Sequence, residues 1–274
     1  MTLDEQLIHT TIRIISIYPD GSVCTGTGFF FNYQIDDETY PAIITNKHVV
    51  QNCIEISLTF NSNVNGGYFP GKKETINLKG PNLVIIDHPE KDVDLCAILI
   101  GGILNSLGSK LYFKSFSEEN IISEEYIHNS ISNIEDVTLI GYPDGIADNY
   151  NNLPVVRRGI TATSIKYDFD NKKEFLIDSA IFPGSSGSPV FIYNQGSYSI
   201  GNTLYAGDRM LLIGVVYATY QHEINGNLEA VEIPSSNKII SKSVVPNNLG
   251  IVIKAKRILE LIPEIKSFCQ RSKK

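Results

Sequence analysis

The chain has 274 residues, a formal net charge of −7 and a hydrophobic fraction of 42%, which is enough for one large domain or two small ones. The acidic balance argues against nucleic acid as a partner, because the one basic cluster, Arg271-Ser272-Lys273-Lys274, is typical of a solvated terminus. No apolar stretch approaches the ~20 residues of a membrane-spanning helix, so no membrane association is expected.

Short runs of β-branched and aromatic residues recur along the chain, and glycine-containing turns such as Asn65-Gly66-Gly67 and Pro143-Asp144-Gly145 lie between them. Helical periodicity is sparse. Frequent short strands joined by turns are typical of β-barrels and β-sandwiches. The predicted strands include residues 11–17, 41–45, 54–60, 83–86, 137–140, 175–177 and 211–217.

Two segments depart from the strand pattern. Residues 115–130 are acidic and have little β character, which predicts a connector with one or two helical turns. Near the C terminus, apolar residues recur at helical spacing despite Pro263, which predicts a terminal helix. These apolar residues are Ile258, Leu261, Ile262 and Ile265.

The segment Gly184-Ser185-Ser186-Gly187-Ser188-Pro189-Val190-Phe191 has the composition of a turn that carries a nucleophile. Glycine on both sides of the serine pair permits positive-φ conformations that other residues resist. Such a turn exposes a hydroxyl and aims backbone N–H groups at one point, where an oxyanion can form. The same composition also suits a flexible surface turn, so the hypothesis depends on a base and an acid elsewhere.

His48 is the candidate base among five histidines. It follows the apolar run Ala42-Ile43-Ile44 and a short polar patch, and the end of a buried strand would hold a general base firmly. The other histidines lie in polar or loop-like contexts and are interpreted as surface or packing residues. They are His9, His88, His128 and His222.

Asp94 is the candidate acid, because it directly precedes the strongly apolar run from Leu95 to Ile100. A carboxylate at the start of a buried strand is costly unless it is hydrogen-bonded, and an imidazole N–H is a suitable partner. Asp92 is the competing candidate. For either residue, the alternative is a solvated carboxylate at the entrance to a strand.

The order His48, Asp94, Ser186 distinguishes between the known triad families, since the same chemistry occurs in different chain orders on unrelated folds. In this order the chain resembles the chymotrypsin-fold (trypsin-like) serine peptidases, of the compact bacterial type related to HtrA-like and glutamyl endopeptidases. Besides the nucleophile segment, the resemblance is carried by Gly26-Thr27-Gly28-Phe29-Phe30, Thr45-Asn46-Lys47-His48-Val49-Val50, Asp94-Leu95-Cys96-Ala97, Ile140-Gly141-Tyr142-Pro143, Asp178-Ser179-Ala180-Ile181-Phe182-Pro183 and Leu249-Gly250-Ile251-Val252-Ile253.

The resemblance implies an all-β fold of two six-stranded antiparallel barrels, with the active site between them and a C-terminal helix. The implied boundaries are 1–114 for the first barrel, 115–136 for the connector and 137–274 for the second barrel and helix. It also implies that Ser186 attacks the scissile carbonyl, that His48 transfers the proton and that Asp94 orients His48. The backbone N–H groups of Gly184 and Ser186 would form the oxyanion hole.

Departures from the family pattern bear on activation and specificity. Ser185 stands where trypsin-type zymogens keep an aspartate, so activation by an inserted N terminus is not expected. Ala180, at the base of the implied pocket, carries no charge, and Val216 stands where glutamyl endopeptidases have a histidine. The implied pocket residues Ala180, Val216, Tyr217 and Ala218 therefore favour a small or medium apolar substrate side chain.

The four cysteines include no Cys-x-x-Cys pair, so no metal site, disulfide or cofactor is expected. With no visible secretory signal, the chain is expected in the cytoplasm. A serine endopeptidase acting on polypeptides is the leading hypothesis. Two alternatives stay open: a peptidase-like binding or regulatory module without turnover, and a latent enzyme that an activating protein partner switches on.

Overall fold

The computed structural model describes residues 2–227 and 240–272. The side chains of 221–227, 240–247 and 272 lie outside the described part, and that of His222 is among them. The five α-helices of the described part are α1 (Leu3–Leu7), α2 (Lys47–Val50), α3 (Gly101–Leu107), α4 (Glu124–Ser130) and α5 (Ile262–Ser272).

The first eight strands form one antiparallel sheet in the order β5-β4-β1-β2-β3-β7-β6, and β8 pairs with β4. Alternating burial along β1, where Ile12 and Ile14 are buried, is the period-2 pattern of a strand on a core. The strands are β1 (Thr11–Ile17), β2 (Val23–Ile35), β3 (Glu38–Thr45), β4 (Glu55–Val64), β5 (Gly67–Lys79), β6 (Ile85–Asp87), β7 (Cys96–Leu99) and β8 (Leu111–Tyr112). The resemblance implies six strands for this unit, whereas the sheet has eight. The predicted strand at 83–86 corresponds to β6, and the two-residue strand β8 has no predicted counterpart.

Six of the remaining strands close a barrel in the order β10-β11-β16-β15-β12-β9, which confirms the six-stranded barrel expected for the second half. A separate hairpin, β13–β14, follows β12. The strands are β9 (Asp136–Gly141), β10 (Val155–Thr161), β11 (Glu174–Asp178), β12 (Pro189–Asn194), β13 (Ser197–Ile200), β14 (Thr203–Ala206), β15 (Arg209–Asn227) and β16 (Ile240–Lys254).

The predicted terminal helix is present as a 3-10 segment, Ala255–Leu261, followed by α5. Ile258, Leu261 and Ile265 are fully buried against the core. Pro263 does not break the helix because it lies in the first turn of α5, where its missing N–H would have no intrahelical partner. Hence the apolar spacing identified the correct buried face.

The predicted connector contains α4, whose N-cap Ser123 accepts a hydrogen bond from the Tyr126 N–H at 3.2 Å. At its end, Glu135 forms a buried ion pair with Arg209 at 3.0 Å. Phe116 packs on Phe191, with ring centroids 5.2 Å apart, within a core cluster that draws residues from both sheets. The connector therefore joins the two halves through apolar and ionic contacts.

No disulfide joins the four cysteines, all of which lie in the described part of the chain, and Cys96 is fully buried. Among the residues that the structure describes, no helix is long and apolar enough to cross a membrane. His9 and His88 are buried, and His128 is exposed.

The burial of His9 should make the stability of the folded protein depend on pH. Its ring is buried between Tyr68 and Tyr112, at centroid distances of 4.6 and 4.9 Å. Burial, with a smaller effect of the Lys114 charge, lowers the pKa of His9 to about 4. Because the unfolded chain binds the proton more readily, stability is full above the ordinary pKa near 6.5 and is lost as the pH falls towards 4. We expect the His9 share of this loss to be about 2 kcal/mol between about pH 7 and about pH 5.

Urea unfolding of the wild type and of His9→Gln at these two pH values measures this share, since other titrating groups contribute equally to both proteins. A pH-dependent loss of the same size in His9→Gln would show that His9 is not its source.

Candidate active site

Strand pairing brings His48 and Asp94 together. Strands β3 and β7 are antiparallel, and Thr45 at the end of β3 lies opposite Cys96 at the start of β7. The residues that follow Thr45 therefore lie beside the residues that precede Cys96. His48 is on the short helix α2, three positions after Thr45, and Asp94 is two positions before Cys96.

Both carboxylate oxygens of Asp94 contact His48. Its Oδ2 forms a short hydrogen bond with His48 Nδ1, and its Oδ1 accepts the backbone N–H of His48 at 3.1 Å. Asn46 Nδ2 donates to the Asp94 carbonyl at 2.7 Å, which fixes the backbone of the acid. Asp92, the competing candidate, is exposed and lines a charged cleft with Lys172. The structure thus pairs His48 with Asp94 rather than Asp92.

The nucleophile segment forms the tight turn that its glycines predicted, with φ of +88° at Gly184 and +85° at Gly187. Ser186 is partly exposed, and its Oγ donates to the Tyr217 carbonyl at a long 3.5 Å. Within residues 2–227 and 240–272, no hydrogen bond joins Ser186 Oγ to His48. The hydroxyl therefore faces strand β15 in this conformation.

Thr27, on strand β2, attaches the nucleophile segment to the first sheet. Its N–H donates to the Ser186 carbonyl at 2.9 Å, and its Oγ1 donates to the Gly184 carbonyl at 2.8 Å. Thr45 Oγ1 in turn donates to the Thr27 carbonyl at 2.7 Å. A series of hydrogen bonds thus connects the Ser186 backbone through Thr27 to Thr45, at the end of β3. His48 follows three positions later, on α2.

Thr27 also accepts the Tyr142 N–H on its hydroxyl at 3.0 Å, and its side chain is fully buried. The variant Thr27→Val would leave two buried backbone groups, the Gly184 C=O and the Tyr142 N–H, without partners. We expect this to lower the free energy of unfolding by about 2–4 kcal/mol, and Thr27→Ser, which keeps the hydroxyl, by about 1 kcal/mol. Urea denaturation of both variants measures the difference, and equal stability of the two would contradict this role of the hydroxyl.

The two backbone donors expected to form an oxyanion hole are available. In the described part of the chain, the N–H groups of Gly184 and Ser186 donate to no protein acceptor. The Pro183 carbonyl accepts the Asp144 N–H at 2.5 Å. Because C=O and N–H point in opposite directions across a trans peptide, this bond turns the Gly184 N–H away from Asp144.

The four expected pocket residues occupy different environments. Val216 is fully buried and packs in the barrel core with Ile177 and Ile181. Ala180, Tyr217 and Ala218 are partly exposed. Tyr217 sits at a register shift of β15 between Val216 and Ala218. Burial, followed by the nearby Glu174 carboxylate, raises the pKa of the Tyr217 hydroxyl, which therefore stays neutral near pH 7.

Gly26-Thr27-Gly28 enters the resemblance only as a strand motif, and its sequence assigns Thr27 no role. Both flanking glycines are sterically required, since a Cβ on Gly26 would lie 2.4 Å from Val49 and one on Gly28 would lie 2.4 Å from Ile43. The sequence signal that could have indicated a role for Thr27 is its position as a polar residue between two such glycines. Its partners could not be inferred, because they are 115 and 157 residues away.

No curated protein sequence matches this chain. It is similar to the solved structure of the Rv3671c protease from M. tuberculosis in its active form, with 14% identity, a TM-score of 0.47, and coverage of 94% of this chain and 81% of that one. It is also similar to the serine endoprotease from Yersinia pestis, with 16% identity, a TM-score of 0.47, and coverage of 96% and 68%. The family model of the trypsin-like peptidase domain matches residues 26–201, so the chain belongs to the trypsin-like peptidase family.

Proposed function

We propose that this protein is a serine endopeptidase that cleaves polypeptides through an acyl-enzyme, with His48, Asp94 and Ser186 as its triad. The observation that carries the proposal is the His48–Asp94 pair, together with a serine turn that is hydrogen-bonded to Thr27 of the same sheet and has two free backbone donors. Membership in the trypsin-like peptidase family supports it. We place the domain boundaries at 114 and 136, as the sequence suggested.

In the proposed reaction, Ser186 Oγ rotates from the Tyr217 carbonyl towards His48 and attacks the scissile carbonyl. His48 Nε2 takes the hydroxyl proton, while Asp94 holds the Nδ1–H and stabilises the imidazolium. The N–H groups of Gly184 and Ser186 bind the oxyanion. His48 then gives the proton to the leaving amine, and a water molecule, activated in the same way, releases the acyl group and restores Ser186.

The substrate pocket in this proposal is formed by Ala180, Tyr217 and Ala218, with Val216 buried beneath them. None of these side chains carries a charge at neutral pH, which favours a small or medium apolar substrate residue over Arg, Lys or Glu. The partly exposed backbone around Tyr217 would face the peptide.

A second candidate is a latent peptidase that a partner activates. The observation that favours it is the orientation of Ser186 Oγ, which lies 3.5 Å from the Tyr217 carbonyl and makes no hydrogen bond with His48 in the described part of the chain. A binding module without turnover is the third candidate, and the intact His48–Asp94 pair argues against it.

Incubation of the purified protein with a peptide library, followed by mass spectrometry of new termini, tests the proposal. We expect wild-type protein and Ser106→Ala, a serine on the exposed side of α3, to cleave equally. Ser186→Ala should leave the library intact. Cleavage that persists in Ser186→Ala would refute the assigned nucleophile, and absence of cleavage by all three would refute constitutive activity.

A further inference from the structure

We propose that Arg13, on strand β1 of the first sheet, is a positioning residue for the oxyanion hole in the second half of the chain. This inference rests on the proposed function, since it assigns a role in the same site. Arg13 touches neither His48 nor Ser186. It acts through a turn that orients the Gly184 N–H.

Arg13 holds the turn Pro143-Asp144-Gly145. Its Nη1 donates to the Gly145 carbonyl at 2.9 Å, across 132 residues of sequence. Within the turn, the Gly145 N–H donates to the Tyr142 carbonyl at 3.0 Å, and Asp144 has a left-handed φ of +51°. A non-glycine residue in that conformation needs support from its surroundings. The arginine contact supplies such support from the neighbouring sheet.

The turn Pro143-Asp144-Gly145 also fixes the peptide between Pro183 and Gly184. The Asp144 N–H binds the Pro183 carbonyl, which leaves the Gly184 N–H directed to the opposite side. The packing is tight, since a Cβ on Gly184 would lie 2.5 Å from the Tyr142 oxygen and 3.1 Å from the Asp144 nitrogen. A displaced turn would therefore release or rotate this peptide and misdirect one of the two oxyanion donors.

The register of the first sheet places Arg13 directly opposite Thr27, because β1 and β2 pair these two residues. Thr27 binds the Gly184 carbonyl and the Tyr142 N–H, while Arg13 binds the Gly145 carbonyl. One cross-strand pair therefore holds both the oxyanion segment and the turn that orients it. Arg13 and Thr27, which are paired across the first sheet, thus set the direction of the Gly184 N–H in the second half of the chain.

Kinetics of Arg13→Met and Arg13→Lys test the role. Methionine keeps the apolar stem and removes the donor, whereas lysine keeps a donor. The matched control is Arg271→Met, on the exposed face of α5. Complete loss of one oxyanion donor costs about 100- to 1,000-fold in kcat, so we expect misorientation in Arg13→Met to lower kcat about 10- to 100-fold.

KM for a peptide substrate should stay within about threefold, because the lost interaction is specific to the transition state. Inhibition by a peptide aldehyde, whose adduct carries the oxyanion, should weaken by the same factor as kcat. Arg13→Lys should recover part of the kcat and part of the aldehyde inhibition. Arg271→Met should have the same kcat and the same inhibition as the wild type. Equal kcat in Arg13→Met and the wild type would overturn the proposal.

Amide hydrogen exchange separates this proposal from the proposed function. The Asp144 N–H should be protected in the wild type and should exchange at least about tenfold faster in Arg13→Met, since local opening exposes it. If the wild type proves inactive but Arg13→Met shows this loss of protection, the proposed function fails and the positioning role stands. Unchanged Asp144 exchange would overturn the positioning role whether or not the protein is a peptidase.

Discussion

Replacement of Asp94 by asparagine should lower kcat about ten-thousand-fold while the fold stays intact, which is the size of effect that this change has in the serine peptidase template. The carboxylate binds both the Nδ1 and the backbone N–H of His48. An asparagine side chain is nearly isosteric, but with its oxygen on the His48 backbone N–H its NH2 group faces Nδ1 and cannot accept a hydrogen bond from it. The imidazole would then adopt the wrong tautomer, and Nε2 would no longer be free to take the proton from Ser186.

The matched control is Asp92→Asn, two residues away and exposed to solvent. Both variants remove one negative charge from the same loop, so the difference between them isolates the contact with His48. Steady-state kinetics on one peptide substrate measures kcat, and circular dichroism checks the fold. A similar loss in both variants would mean that the loop charge, and not the orientation of His48, governs the activity.

Substitution of Gly187 by alanine should both destabilise the protein and disable the nucleophile. A Cβ at this position would lie 2.0 Å from the Thr27 carbonyl oxygen and 2.6 Å from Thr45 Oγ1. The backbone would have to move away from the first sheet, and Ser186 is the preceding residue. A displacement of about 1 Å in an active site can cost about 100-fold in rate, so we expect at least this loss in kcat/KM.

Gly196→Ala is the matched control for this change, because Gly196 has φ of +79° and open space around its Cα. Each alanine bears the left-handed backbone strain of about 1–2 kcal/mol, but only Gly187→Ala adds the clash. Urea unfolding should therefore show a free-energy difference of at least about 2 kcal/mol between the two variants. Equal stabilities of Gly187→Ala and Gly196→Ala, together with normal turnover in Gly187→Ala, would show that the turn does not pack tightly against Thr27.

The sequence allowed prediction of those features that local pattern determines. The order of His48, Asp94 and Ser186 and the glycines of the nucleophile turn indicated a family to which the chain does belong. The apolar spacing from Ile258 to Ile265 predicted the buried face of the terminal helix. In each case a short stretch carries the information, since strand ends, turns and helix faces have their own residue preferences.

Features that depend on pairing between distant residues were not predicted. Nothing in the neighbourhood of Arg13 indicates that its side chain binds Gly145, since that contact requires the register of β1 and the packing of the first sheet against the second half of the chain. The full burial of Val216, an expected pocket residue, likewise depends on how strand β15 pairs within the barrel. Strand β8 of the first sheet is only two residues long, too short for an alternating pattern to identify.

Labelling of the purified protein with a fluorophosphonate, read by intact mass, tests the central claim most directly, because the reagent reacts with a serine only when a base activates it. We expect one equivalent of label, mapped by peptide sequencing to Ser186 and absent in Ser186→Ala. Folded wild-type protein that stays unlabelled, or label on a different serine, would contradict the claim that His48 and Asp94 activate Ser186.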